Sequence, residues 1–136
     1  MKVSDLARRA GVTRDTVRHY LRIGLIEAGR DPSNGYHAFD SAALSRLRFI
    51  RRSRQLGFRL DEIRSLFAHA DSGQSACPEA RRIIQHRIRQ THDEVHELMT
   101  LQQRMEDAAQ VWQSLPDQAP SGDSVCHLIE NWDSHD

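Results

Sequence analysis

The stretch SDLARRAGVTRDTVRHYLRIGLI (residues 4–26) decides how the rest of the chain reads. It holds two short runs with apolar residues at helical spacing, separated by one glycine. Leu6, Ala7 and Ala10 give the first run an inward stripe, and Ser4 is its expected N-cap. Gly11 permits a tight bend. Thr13 is the expected cap of the second run, which carries Val17, Tyr20 and Leu21 and is lined with Arg14, Arg18 and Arg22. Helix, glycine turn and a capped, arginine-lined second helix predict a helix-turn-helix, whose second helix reads the major groove of DNA. Polar groups early in that helix meet base edges, while arginine and tyrosine hold phosphates.

Next comes IEAGRDPSNGYHAFD (residues 26–40), where Asp-Pro and Asn34-Gly35 signal a turn between extended flanks. A hairpin directly after a helix-turn-helix is a wing, with Arg30, Tyr36 and His37 placed toward the DNA backbone. Two more helices follow. Asp40 or Ser41 opens the first, in which Leu44, Leu47, Phe49 and Ile50 pack while Arg46, Arg48, Arg51, Arg52 and Arg54 face outward. Gly57 breaks it, and RLDEIRSLFAHA supplies the second through Leu60, Ile63, Leu66 and Phe67.

Charge divides the chain in the same way. Net charge is zero, yet residues 1–70 hold 14 Lys/Arg against 7 Asp/Glu, and residues 71–136 hold 5 against 12. A basic first half points to a polyanion partner, and an acidic second half points to other work. A chain of 136 residues with 38% hydrophobic content fits one small soluble domain carrying a helical extension. No apolar run approaches the roughly 20 residues needed to span a bilayer, and the first residues lack a signal-peptide core. The expected compartment is the cytoplasm, with no membrane partner. Two cysteines there point to metal or redox chemistry, not to a disulfide framework. No Ser-His-Asp order, phosphate loop or paired-carboxylate pattern marks an enzyme.

From Pro78, which suits a first helical position, the sequence runs to Trp112 without glycine or further proline. Ile84, Ile88, Thr91, Val95, Leu98, Gln102, Met105, Ala109 and Trp112 alternate at spacings of 4 and 3, a heptad seam with two polar interruptions. A lone helix cannot bury such a seam, so a homodimer through a coiled coil is expected. A two-fold dimer also suits a palindromic DNA site. His92 and His96 share a face but lie off the seam, and with His86 they read as surface residues.

TRDTVRHYLRIGLI, NGYHAFD and RLRFIRRSRQLGFRLDEIRSLF together resemble the MerR family of transcription regulators, in order and spacing. The resemblance covers residues 1–70 and, with the long helix, most of the chain. It implies a mainly α fold: a winged helix-turn-helix DNA-binding domain over 1–70 (helix-turn-helix about 4–23), then a linker and long antiparallel coiled-coil dimerisation helix over 71–112. A short metal-binding loop and C-terminal helix over 113–136 complete it. By position, DNA contacts fall on Thr13, Arg14, Arg18 and Tyr20 in the reading helix and on Arg30, Tyr36 and His37 in the wing. The family often has Arg at the position of His37, and Glu at that of Leu21. The implied partners are double-stranded promoter DNA, RNA polymerase at that promoter and a second copy of the chain.

The two thiols, Cys77 and Cys126, bracket this last region. QSLPDQAPSGD (residues 113–123) reads as a loop. Ser124 or Asp123 is the expected cap of a last helix, VCHLIENW, docked through Val125, Leu128, Ile129 and Trp132. In an antiparallel dimer Cys77 of one subunit meets the Cys126 of its partner, giving two sites. Two thiolates with a third ligand, His127 or a carboxylate such as Asp123 or Asp117, suit soft or borderline ions, with zinc or cadmium favoured and mercury, lead or monovalent copper as alternatives. Adjacent helical residues point about 100° apart, so Cys126 and His127 chelate together only where the backbone is irregular. The resemblance places a Cys at the start of the dimer helix and others in the loop after it, as in the divalent-metal branch of the family. That branch also has a Cys near the end of the helix, where this chain has Trp112 and Ser114. The expected function is metal-dependent activation of a promoter by distortion of operator DNA. The alternative is a thiol-redox or electrophile sensor using Cys77 and Cys126.

Overall fold

The structure is a computed structural model that describes residues 1–133. The element order is α1 (Val3–Ala10), α2 (Arg14–Arg22), β1 (Gly29–Arg30), β2 (His37–Ala38), α3 (Ser41–Gln55), α4 (Leu60–Asp71), α5 (Cys77–Trp112) and α6 (His127–Glu130). The chain divides into two compact units, Met1–Arg87 and Ile88–Asp136.

In the first unit α1 packs on α2 and α3, and α4 packs on α3. Leu6, Val17, Leu47, Ile50 and Ile63 are fully buried in one core. Ile83, from the first turns of α5, joins it. Gly11 sits at φ 71°, and its N–H closes the end of α1 on the Arg8 carbonyl at 3.3 Å. Only glycine takes that left-handed conformation without strain. Thr13 caps α2, its hydroxyl accepting the Thr16 N–H at 3.1 Å. Asp40, not Ser41, caps α3 through the Ala43 N–H at 2.9 Å. Phe49, expected in the core, is 39% exposed and leans on the Phe67 ring at 5.3 Å.

The Ser4 cap is corrected. Ser4 lies inside α1, and Lys2 holds the cap position, its N–H donating to the Asp5 carboxylate at 3.4 Å. Asp5, three residues into the helix, thus satisfies the N–H of the cap residue, one half of a capping box. Arg59 and Glu62 repeat the device at α4, with the Arg59 N–H on Glu62 at 2.8 Å.

In the second unit α5 continues to Trp112, and the chain turns through a loop into the single turn α6. Its whole length, 36 residues, rises about 54 Å. Val95, Leu98 and Met105 are at least half exposed. The last helix is shorter than expected. Val125 and Cys126 stay outside it, and Cys126 is the cap residue with extended backbone (φ −148°, ψ 112°). Neither Ser124 nor Asp123 caps it. The Ser124 hydroxyl instead donates to the Glu130 carboxylate at 2.7 Å. Val125 and Ile129 are 82% and 65% exposed, so only Leu128 and Trp132 of the four docking residues are half-buried.

Candidate DNA-binding face and thiol site

The wing is a two-residue ladder, Gly29 opposite Ala38 and Arg30 opposite His37. The six residues between the strands do more than the Asn34-Gly35 pair alone. The Asp31 carboxylate accepts from the Ser33 N–H at 2.8 Å and the Ser33 hydroxyl at 2.6 Å. These bonds hold the Asp31 carboxyl below the usual carboxylate range, the hydroxyl being the larger cause. Asn34 Oδ1 accepts the Tyr36 N–H at 2.9 Å, and Gly35 turns at φ 72°. Side-chain turns of this kind substitute for a backbone ladder. Tyr36 is left 69% exposed. Arg30 folds back to donate to the Gly35 carbonyl at 3.0 Å.

One groove brings together Lys2, Ser4, Arg14, Arg18, Tyr36 and His37. Of the predicted contacts, Arg14 and Arg18 from α2 and Tyr36 and His37 from the wing share this groove, whereas Thr13, Tyr20 and Arg30 lie outside it. Arg18 is also paired with Asp15 at 3.1 Å, with both side chains exposed. Thr13 and Arg14 line a second groove running between α1 and the start of α2. Tyr20 is half-buried and packs against the core, leaning on the His19 ring at 5.6 Å. His37 stacks against Phe39 at 6.4 Å, and its buried Nδ1 has no hydrogen-bond partner among the described residues. Lys2 was not legible as part of this face, since one basic residue before a helix carries no pattern. Its place is fixed by the backbone: the Met1 amino group donates to the Phe39 carbonyl at 2.8 Å, and Phe39 N–H returns to Met1 at 2.7 Å.

The thiols lie in different units. Cys77 is exposed and opens α5, its N–H donating to the Ser75 hydroxyl oxygen at 3.2 Å. Cys126 is half-buried and, like Cys77, free. The Glu130 carboxylate gathers the turn around it, accepting from Ser124 Oγ and from the Val125 N–H at 3.1 Å. Those bonds, the hydroxyl first, hold the Glu130 carboxyl below its usual range. His127 Nε2 donates to the Pro116 carbonyl at 2.8 Å, which ties α6 back to the loop after α5. That bond leaves Nδ1 as the ring's available donor atom for a metal. The extended backbone at Cys126 departs from helical geometry just before His127, the first residue of α6. Among the described residues of one chain, no three His, Cys, Asp or Glu side chains gather into a metal cluster.

A winged helix-turn-helix with a basic reading face, carried ahead of a long helix, defines a class of transcription regulators. The chain belongs to the MerR family of these regulators. The model of MerR helix-turn-helix regulatory proteins matches residues 1–70, and that of the MerR DNA-binding region matches residues 44–115. The chain is 35% identical over 111 residues to the HTH-type transcriptional regulator ZntR of Escherichia coli (strain K12), covering 79% of each chain. Among solved structures it is similar to the regulator PbrR691 from Ralstonia metallidurans CH34 in complex with lead(II). That match has a TM-score of 0.74 and 26% identity over 96% of this chain and 97% of that one. The regulator MerR from Bacillus megaterium MB1 in complex with mercury(II) gives a TM-score of 0.60 at 26% identity, with the same coverage. The family consists of regulators, not enzymes. Among the described residues, no helix is long and apolar enough to cross a membrane.

Proposed function

We propose that this chain is a homodimeric, metal-responsive activator that binds a two-fold symmetric promoter element and presents it to RNA polymerase. Thr13, Arg14, Arg18 and Tyr20 from α2, with Arg30, Tyr36 and His37 from the wing, are its DNA contacts. Cys77 of one subunit, with Cys126 and His127 of the partner subunit, is its metal site. Two sulfurs and one imidazole nitrogen suit zinc or cadmium, and mercury or lead are accommodated by the same soft donors. The observation that carries the proposal is the turn at Cys126. A free, half-buried thiol with extended backbone sits beside an imidazole already oriented by Pro116. Relatives bound to lead(II) and mercury(II) support the same chemistry.

Metal changes transcription only if it favours one DNA-bound conformer over another. Strong bending of an operator costs on the order of 1–6 kcal/mol. Ordering of the loop and α6 around a bridging ion is the source of that preference. The test is titration of the reduced dimer with zinc, cadmium, lead and mercury, beside Cys126→Ser. Tight uptake of one ion per subunit, lost in the variant, is expected. No tight uptake would discard the metal site and leave the DNA-binding assignment intact.

Exposed Cys77 and the absence of a third thiol favour one other reading, a thiol-redox or electrophile sensor. It predicts a response to oxidants without bound metal and full tolerance of His127→Ala.

A further inference from the structure

The second unit carries a seam whose order of residues is its own mirror image. Ile88, Thr91, Val95, Leu98, Gln102 and Met105 follow one another at spacings of 3, 4, 3, 4 and 3. Read from either end, the sequence of types is large apolar, polar, apolar, apolar, polar, large apolar. All six are exposed, Ile88 at 62%, Val95 at 50%, Leu98 at 65% and Met105 at 60%. In heptad terms they alternate between the two core positions, and an antiparallel pair of helices stacks one kind of core position on the other.

We propose that two copies pair antiparallel in one register, with Thr91 on the partner's Gln102, and that these polar pairs select it. The proposal rests on the dimer reading above and adds the alignment and the residues that enforce it. In this register Ile88 meets the partner's Met105, and Val95 meets the partner's Leu98. The two-fold axis then falls between His96 and Glu97. Each polar side chain faces a polar side chain, so the hydroxyl and the amide satisfy one another when water leaves the seam.

A shift by one heptad in either direction breaks this match. In one direction Gln102 faces the partner's Leu98 and Thr91 faces the partner's Ala109. In the other, Gln102 faces the partner's Ile84 and Thr91 faces the partner's Val95. A buried polar group without a partner costs about 1–3 kcal/mol. The Gln102 mismatches, two across the dimer, and to a lesser degree those of Thr91, disfavour both shifted registers. A single polar core position is known to fix coiled-coil register at some cost in stability. Charges along the flanks raise no objection, because His92 falls beside the partner's Met99 and Glu94 beside the partner's Leu101.

The test uses the full chain with Cys77→Ser and Cys126→Ser, and a nitroxide attached through Gln110→Cys or, separately, Gln103→Cys. Both label sites are exposed on α5. Sedimentation first establishes the dimer, and pulsed dipolar spectroscopy then measures the distance between labels. The expected axial separations are about 40 Å at position 110 and about 20 Å at position 103, from the rise of 1.5 Å per residue. A one-heptad shift moves each by about 10 Å. A parallel pair would give short distances at both positions. A second variant adds Thr91→Leu and Gln102→Leu. The dimer should persist, while the single distance splits toward the shifted values. A sharp, unchanged distance in that variant would overturn the role given to the polar pairs. A dimer with any other distance in the starting protein would overturn the register alone, and a monomer would overturn the dimer reading with it.

Discussion

Thr13 shows how one side chain serves fold and function together. Its oxygen caps α2 and sits 2.8 Å from the Thr16 hydroxyl, at the end of the helix proposed to enter DNA. Thr13→Ala should cost about 1 kcal/mol, in line with lost N-caps elsewhere, and lower the urea midpoint. Thr13→Ser keeps the cap and should recover nearly all of it. Glu130 gives a second test at this scale, through pH. Its carboxyl is held below the usual range by Ser124 and Val125. A group whose folded value is depressed stabilises above its unfolded value and loses that contribution as pH falls through the folded one. The turn at Cys126 should therefore loosen in the acid range, seen as faster hydrogen exchange at the Val125 amide. In Glu130→Ala that amide should exchange fast even at neutral pH, and no acid transition should remain.

Among the elements, the helices were legible and their ends were not. Apolar spacing located all four helices of the first unit and the long fifth one, because burial of a stripe leaves a periodic trace. Caps leave a weaker one. Lys2 and Cys126 hold cap positions because acidic residues downstream, Asp5 and Glu130, accept their turns' N–H groups. A hydroxyl nearby, Ser4 or Ser124, looked the better cap on residue type alone. Spacing places Phe49 inside because it cannot tell a core position from a flank shared with Phe67. Of the site, α2 and the wing could be read from motifs, whereas Lys2 reaches the groove only through the pairing of Met1 with Phe39. The element scale also carries its own prediction. Ile63 is fully buried in α4, so Ile63→Ala should cost about 2–5 kcal/mol and shift the denaturation midpoint. Leu98→Asp, on the exposed seam of α5, should leave helix content in place and convert the dimer to monomer by sedimentation.

At the scale of the whole molecule, the proposed DNA contacts and the proposed metal ligands are separate sets of residues, and mutations should divide likewise. Arg18→Ala should weaken operator binding and flatten its salt dependence by about one phosphate contact, with metal uptake unchanged. Cys77→Ser should do the reverse, retaining the operator in a gel-shift assay while losing induction by metal.

The uninterrupted length of α5 makes the response a property of pairs. Each proposed site takes Cys77 from one copy and Cys126 from the other, so two defective alleles should complement. A mixed dimer of Cys77→Ser with Cys126→Ser rebuilds one intact site and leaves the other with neither thiol. Where the free chain is dilute enough to dissociate, metal capacity also falls with the square of its concentration. The threshold at which a cell answers the metal is then set by how many copies of the sensor it keeps.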